Sequence, residues 1–287
     1  MKKTSISLVG LFITSVIFAQ TFSPAKSTTA GKIILTPGQK IVIQNLTTLE
    51  ASFGMGMDLN SNSINENLLE VKNSLNKTYT LTNTLTKVKL DMNMMGQANS
   101  YDSENKEDNS SDIAKLFEGQ LNKPVDITIE NSTGQVITDK KTKQTDTENE
   151  ANPMQGMIDM FTENSDEAVV SGAFELIPAG KKTGDVWMDT TVTKEMKAIR
   201  TYTLKSVSQD ETVIQVDAII TAANKLDFQG MEFEIKTETK LTGETVANAT
   251  TGLVKKRTTQ SEVTGSFQLM GQDMPITAKT NTTSIYK

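Results

Sequence analysis

Methionine thioethers form the most conspicuous chemical pattern in the sequence. "KLDMNMMGQ" places Met92 and Met94 two residues apart, and "FGMGMD" places Met55 and Met57 two residues apart. Residues two apart on a β-strand point to the same side of the sheet. Each pair would therefore present two flexible, polarisable side chains on one face.

Three interpretations fit these methionines. Methionine fills irregular gaps in hydrophobic cores, and a stripe of this kind usually reflects packing. A sheet lined by thioethers can also repack around varied acyl chains, which predicts an apolar or lipid-like ligand at Met55, Met57, Met92 and Met94. Thioethers also suit copper(I), so methionine-based copper(I) binding is the third hypothesis.

Trp187 joins the four methionines as a candidate ligand residue. It is the only tryptophan of the chain, and it follows the turn sequence "TGD" at the start of a predicted strand. A large aromatic ring at this position is typical of a core anchor, and contact with a ligand is the alternative.

The sequence contains no histidine and no cysteine. This excludes Ser-His-Asp and Cys-His catalysis, zinc sites built on His or Cys, and haem held by His. The acidic stretch "YDSENKEDNSSD" lacks the glycine and the final glutamate of a calcium-binding EF-hand loop, so we interpret it as a solvated loop. We therefore predict that the protein is not an enzyme and has no catalytic residues, no metal site and no cofactor.

The N-terminus predicts export from the cytoplasm. Lys2 and Lys3 precede an apolar run over 6–18, and Ala19 stands at a plausible cleavage point. We expect a soluble mature protein in the periplasm or outside the cell, without a lipid anchor because there is no cysteine to acylate. The net charge is −6 and basic residues are scattered, so nucleic acid is not an expected partner. Peripheral contact with a membrane stays open.

Period-two alternation of apolar and polar residues dominates the mature chain and predicts strands. "MEFEIKTETKL" (231–241) is the clearest example, with apolar residues on one face and charged residues on the other. We predict a mainly β (α+β) fold, with antiparallel meander sheets that form a sandwich or a curved half-barrel. Two or three short helices would pack on it.

The helical patterns lie near the middle of the chain. They occur in "SDIAKLFEGQL", with Ser111 or Asp112 as the N-cap, in "NPMQGMIDMF", and in "SDEAVVSGAFELIP", which would stop before Pro178. We divide the chain into a signal peptide (1–19), an N-terminal β-rich half (20–137), a linker with a short helix (138–165) and a C-terminal β-rich half (166–287). Similar turn sequences, "ITIENSTGQV" and "ETVANATTGLV", suggest that the two halves are related.

These segments also carry a resemblance to a known family. In order, the chain contains "VKLDMNMMGQANSYDSE", "PVDITIENSTGQV", "KKTGDVW" and "GETVANATTGLV…GSFQLMGQDMPI". This arrangement resembles a family of exported Bacteroidota proteins known only as a domain of unknown function. The resemblance implies an exported, β-rich domain and supplies no catalytic residues.

We conclude that the sequence is typical of a non-catalytic cell-envelope protein. The leading hypothesis is binding of an apolar or lipid-like ligand on a methionine-lined sheet face. The main alternative is a structural or protein-interaction module with a filled core. These two hypotheses differ in whether the inward-facing side chains close on each other or leave room for a ligand.

Overall fold

The computed structural model of the protein describes residues 32–54, 56, 58–108, 111–137, 166–193, 196–228, 231–269 and 272–287. The predicted signal peptide over 1–19 lies outside these residues. So does the linker with its short helix, predicted over 138–165.

The described residues form eleven strands and two short helices. The strands are β1 (Lys40–Ser52), β2 (Asp58–Leu75), β3 (Thr78–Met94), β4 (Gln97–Asp102), β5 (Pro124–Glu130), β6 (Val186–Val192), β7 (Met196–Val207), β8 (Glu211–Phe228), β9 (Met231–Asn248), β10 (Val254–Leu269) and β11 (Gln272–Tyr286). The helices are α1 (Asp112–Phe117) and α2 (Asp166–Gly172). The longest strands, with 18 residues, extend about 60 Å. The predicted mainly β class is confirmed.

All eleven strands belong to one antiparallel sheet. Their order is β4-β3-β2-β1-β11-β10-β9-β8-β7-β6, and β5 pairs with β3 outside this path. The N-terminal and C-terminal parts of the chain meet where β1 pairs with β11, with Thr47 opposite Thr282. The sequence predicted either a sandwich or a curved half-barrel. The described strands form one open, curved sheet and not two packed sheets, so they match the curved alternative.

The strands bury one face because apolar and polar residues alternate along them. On β8, Ile214, Val216 and Ile220 are buried, whereas Asp217 is half-buried and Thr221 is exposed. The alternation puts successive side chains on opposite sides of the sheet. We call the side with the buried residues the inner face and the opposite side the outer face.

Three hydrophobic clusters lie on the inner face. The β3/α1 cluster includes Leu90 of β3 and Phe117 of α1, with contributions from β1, β2 and β11. The β5/α2 cluster joins Leu81 of β3 to β5 and to Val170 of α2. The β7/β8 cluster is centred on the strands around Leu204. The two helices thus pack on the sheet, as predicted.

Helix α1 begins at the predicted N-cap. The Ser111 Oγ accepts a hydrogen bond from the Ala114 backbone N–H at 3.1 Å, which satisfies one donor of the first turn.

Among the described residues, no helix has both the length and the apolar character needed to cross a membrane.

Helix α2 is shorter than the sequence predicts. It ends at Gly172 and does not continue to the residue before Pro178. Phe174 forms an antiparallel β-bridge with Leu253, and this pairing holds the chain in an extended conformation after the helix. Pairing with a distant strand therefore overrides the local helical pattern.

The two similar turn sequences form turns of the same kind. In the turns over 130–134 and 248–252, the N–H of Gly134 and of Gly252 donates to the carbonyl four residues earlier, at 2.8 Å and 3.0 Å. Both glycines have positive φ, 74° and 70°, which glycine adopts readily. Backbone N–H groups of 32–36 donate to a carbonyl of each turn, at 2.9 Å and 3.3 Å. This segment spans one end of the sheet.

A buried amide connects the sheet to α2. Asn83 on β3 is fully buried, accepts from Asn67 Nδ2 at 3.2 Å, and donates through its Nδ2 to Asp166 Oδ1 at 2.6 Å. We expect Asn83→Ala to lower the free energy of unfolding by about 1–3 kcal/mol, because the buried Asn67 and the partly buried Asp166 each lose a hydrogen-bond partner. Urea denaturation measures this, with the exposed Asn93→Ala on the same strand as control. Equal stability of the two variants would contradict a fold-stabilising role for Asn83.

Candidate functional site

Polar side chains occupy the centre of the inner face. Asn45 on β1 lies directly opposite Asn65 on β2, and Ser63 and Ser61 follow on the same side of β2. Their exposed fractions are 8%, 8%, 8% and 4%. We call these four side chains the polar floor.

The polar floor differs from the other buried polar groups in its bonding. Within the described residues, none of its four side chains makes a hydrogen bond to another protein group. Their polar atoms keep some accessibility to solvent. Asn67, the next inward residue of β2, is bonded to Asn83. A largely buried amide or hydroxyl without a partner costs free energy, so these groups require water or a ligand.

Apolar rows border the polar floor on the β3 side. Ser61 lies opposite Met92, Ser63 opposite Leu90, and Asn65 opposite Val88. Towards the C-terminal strands, the register continues through hydroxyl-bearing residues of β11 and, on β10, through Arg257, Thr259 and Ser261 to the β7/β8 cluster. The inner face thus has a polar centre between two apolar flanks.

A charged cluster lies on the C-terminal flank, where the register of β6 and β7 places Asp189 opposite Arg200. Arg200 is 2% exposed, and its Nη1 donates to Asp189 Oδ1 and to Thr191 Oγ1, each at 3.0 Å. The Tyr202 hydroxyl donates to Asp189 Oδ2 at 2.9 Å. Burial raises the pKa of Tyr202 well above its ordinary value, and the carboxylates of Glu175 and Asp189 raise it further.

A second ion pair completes the charged cluster. Glu175 follows α2 on the extended segment, and its Oε2 accepts from Arg257 Nη2 at 3.0 Å. Arg257 Nε also donates to Thr245 Oγ1 at 3.2 Å. Burial raises the pKa of Glu175, although the positive charge of Arg257 acts in the opposite direction. Each of the two arginines thus has a carboxylate partner.

The raised pKa of Glu175 predicts a pH dependence of stability. The folded state holds a proton that the unfolded state releases above its ordinary pKa, 4.5. Below pH 4.5 both states hold the proton, so the raised pKa of Glu175 does not affect the free energy of unfolding. As pH rises from this value to the folded pKa, the free energy of unfolding decreases. We expect the stability of Glu175→Gln relative to the wild-type protein to increase from pH 4 to pH 7 in urea titrations.

The exposed Glu50→Gln on β1 is the control for this titration. A stability difference between Glu175→Gln and wild type that falls with pH would contradict the prediction. It would mean that Arg257 holds the pKa of Glu175 below its ordinary value.

The predicted site residues that the structure describes, Met92, Met94 and Trp187, lie in separate parts of the inner face. Met92 is buried in the β3/α1 cluster, and Met94 packs against that cluster. Met55 and Met57 lie outside the described residues. Trp187 stacks on Tyr202, with ring centroids 5.4 Å apart, at the charged cluster on the opposite flank. The structure thus brings Met92 and Met94 together but not with Trp187.

Sequence reasoning missed the polar floor and the charged cluster. The signal for the first is "LNSNSINENLLEV", where Ser and Asn take the positions of β2 that are otherwise apolar. The signal for the second is Arg200, which stands in the apolar phase of "AIRTYTL". A polar residue in the buried phase of a strand is more informative than the apolar residues around it. As for metals, the described residues contain no group of three or more carboxylates that could hold an ion.

Comparison with known families identifies the chain. Residues 76–254 match the profile of a family described as "Family of unknown function (DUF6263)". The protein belongs to this family. The match to DUF6263 includes Met92, Trp187 and all of the charged cluster except Arg257, which lies beyond residue 254. The strands β1 and β11 lie outside it.

Solved structures resemble this DUF6263 protein only weakly, and no curated protein matches it. A structure titled "Lipid-protein interactions in lipovitellin" has a TM-score of 0.47 and 9% identity, over 88% of this chain and 25% of lipovitellin. The chain thus spans about a quarter of that protein. An outer membrane channel from Pseudomonas putida F1 has a TM-score of 0.20 and 8% identity, over 89% of this chain and 97% of the channel. OccK5 (OpdH) from Pseudomonas aeruginosa has a TM-score of 0.25 and 7% identity, over 90% of this chain and 100% of the other. Similarities this weak say nothing about the ligands of this protein.

Proposed function

We propose that the protein is an exported, non-catalytic binding protein of the cell envelope that holds a lipid-like, amphipathic ligand on its inner face. The observation that carries the proposal is the polar floor, four largely buried side chains that have no protein partner among the described residues. A ligand with hydrogen-bonding groups would satisfy them. The signal-peptide-like N-terminus supports the export part of the proposal.

The flanks of the polar floor support an acyl chain in the ligand. Leu90 and Val88 lie beside it on β3, and Val216 and Ala218 lie further across the sheet on β8. An acyl chain along either flank would bury apolar surface, which is favourable by about 25 cal/mol per Å². A purely apolar ligand over the floor would leave amides and hydroxyls unsatisfied, at about 1–3 kcal/mol each. The sequence alone predicted an apolar or lipid-like ligand. The polar floor favours an amphipathic ligand, which has both an acyl chain and hydrogen-bonding groups.

The methionines have a smaller role in this proposal than in the sequence analysis. Met92 is 5% exposed and belongs to the same cluster as the stacked rings of Tyr101 and Phe117, which is typical of a filled core at that end of the sheet. Its position opposite Ser61 places it at the border of the floor. We therefore assign the hydrogen-bonding role to the polar floor, and we assign packing to Met92.

The chemistry of the charged cluster supports a non-catalytic role. The chain has no histidine or cysteine. The cluster's tyrosine has a strongly raised pKa, so Tyr202 stays protonated at neutral pH and cannot act as a base there. The two arginines of the charged cluster form ion pairs, Arg200 with Asp189 and Arg257 with Glu175. These groups suit the positioning of strands better than proton transfer.

Native mass spectrometry tests the proposed function. The mature protein, purified without detergent and incubated with a total lipid extract, is expected to carry one added lipid mass that is lost on denaturation. Asn65→Leu should lose most of this adduct, because one floor hydrogen bond is worth about 1 kcal/mol or more and a leucine also fills the space. Asn62→Leu, at an exposed outer-face position of the same strand, should keep it.

Two outcomes would contradict the proposal. One is the bare chain mass in the wild-type protein after incubation with lipid, which would leave a structural or protein-binding role. The other is an adduct that Asn65→Leu retains in full. An added copper mass after incubation with copper(I) would instead support the methionine hypothesis.

A further inference from the structure

We infer that the hydrogen-bonding part of the ligand carries no net charge, as in an acylglycerol or another hydroxyl-bearing, ester-bearing or amide-bearing lipid. The inference rests on the proposed function and deepens it by naming the class of headgroup. It follows from the charges that the inner face offers around the polar floor and from the charges that are already paired.

The floor itself consists only of carboxamides and hydroxyls, those of Asn45, Asn65, Ser61 and Ser63. Each of these groups can both donate and accept a hydrogen bond. Hydroxyl, ester and amide groups of a ligand offer the same combination in return. A carboxylate or phosphate would use the donors of the floor and leave its acceptors without partners.

The arginines of the charged cluster do not provide a free positive charge. Arg200 pairs with Asp189 at 3.0 Å, and Arg257 pairs with Glu175 at 3.0 Å, so each guanidinium already has a carboxyl partner. All four side chains are largely buried, with exposed fractions of 2%, 8%, 12% and 12%. An anionic headgroup would have to break one of these pairs or enter a desolvated site without a counter-charge, and both are costly.

Asp166 further disfavours an anion. Its carboxylate accepts from Asn83, which is bonded to Asn67, the next inward residue of β2 after Asn65. Burial raises the pKa of Asp166, and the hydrogen bond from Asn83 opposes this shift. The carboxylate at this end of the floor is thus negative when ionised and neutral when protonated, so it never attracts an anion.

Three ligands with the same hydrocarbon chain length and different headgroups test the inference. They are 1-oleoylglycerol, which is neutral, oleate, which is anionic, and oleylamine, which is cationic. Each is titrated below its aggregation concentration at pH 8 into the mature protein. Binding is measured by equilibrium dialysis with radiolabelled ligands, because Trp187, the only tryptophan, lies on β6, six strands from β1, and would not report a ligand at the floor.

We expect 1-oleoylglycerol to bind at least about tenfold more tightly than oleate or oleylamine. Asn65→Leu should weaken 1-oleoylglycerol binding by about tenfold, and Asn62→Leu should leave it unchanged. Oleate or oleylamine binding as tightly as 1-oleoylglycerol would overturn the inference about charge and leave the proposed function standing. Binding of none of the three would overturn the proposed function as well.

Discussion

Arg200→Met is expected to lower the free energy of unfolding by about 3–5 kcal/mol, because it removes one partner of a buried ion pair. Arg200 and Asp189 are 2% and 8% exposed in their side chains. The variant would leave the Asp189 carboxylate in the inner face with only the Tyr202 hydroxyl as a donor from the charged cluster. Urea denaturation at pH 7 measures the loss.

Two controls separate the buried charge from a general effect of substitution. Lys197→Met on the exposed side of the same strand should change stability by less than about 0.5 kcal/mol. The double variant Arg200→Met with Asp189→Leu should recover much of the lost stability, since a buried ion pair can be replaced by apolar side chains. A double variant as unstable as the single one would contradict this explanation.

Gly265→Ala is expected to destabilise the protein by about 3 kcal/mol, at the upper end of the cost of overpacking. Gly265 lies within β10, directly opposite Thr237 of β9. An added Cβ would overlap the backbone carbonyl oxygen of Lys236, which cannot move without disturbing the ladder between the two strands. A Cβ added at Gly243 on β9 would likewise lie only 2.8 Å from the Thr258 carbonyl oxygen. Glycines inside strands often mark such close backbone approaches and bends.

Gly119→Ala is the matched control, because a Cβ at that position meets no atom within 4 Å. It should leave the free energy of unfolding nearly unchanged. If Gly265→Ala were as stable as Gly119→Ala, the close approach of β9 and β10 would not be a feature of the folded protein in solution.

Local alternation was enough to predict the strands and the fold class. "VDITIE" forms most of β5, and the alternating residues of "ETVIQVDAII" face inward along β8 as their spacing indicates. The pairing of β1 with β11 was beyond sequence reasoning, since it joins residues more than 220 positions apart, such as Thr47 and Thr282. No local pattern records which distant strand completes a sheet. The prediction of two β-rich halves thus contains no information about the single continuous sheet.

The candidate site was predicted only in part. Trp187 was selected because of its type, and it does contact the charged cluster through Tyr202. The methionines were selected because thioethers are chemically distinctive, but Met92 is buried in the packed β3/α1 cluster. Asn45 and Asn65 were not selected because asparagine is a common residue on the solvent-exposed face of a strand. Their meaning depends on the register that sets them opposite each other on the inner face.

The central claim is that the polar floor binds a ligand, and a crystal structure of the protein grown with saturating 1-oleoylglycerol tests it most directly. The predicted result is a bound molecule on the inner face with a hydroxyl or ester oxygen about 2.7–3.2 Å from the side chain of Asn65 or Ser63. The acyl chain should lie along an apolar flank beside the floor. Crystals in which the ligand lies only on the outer face would contradict the account, as would four floor side chains hydrogen-bonded to protein groups alone.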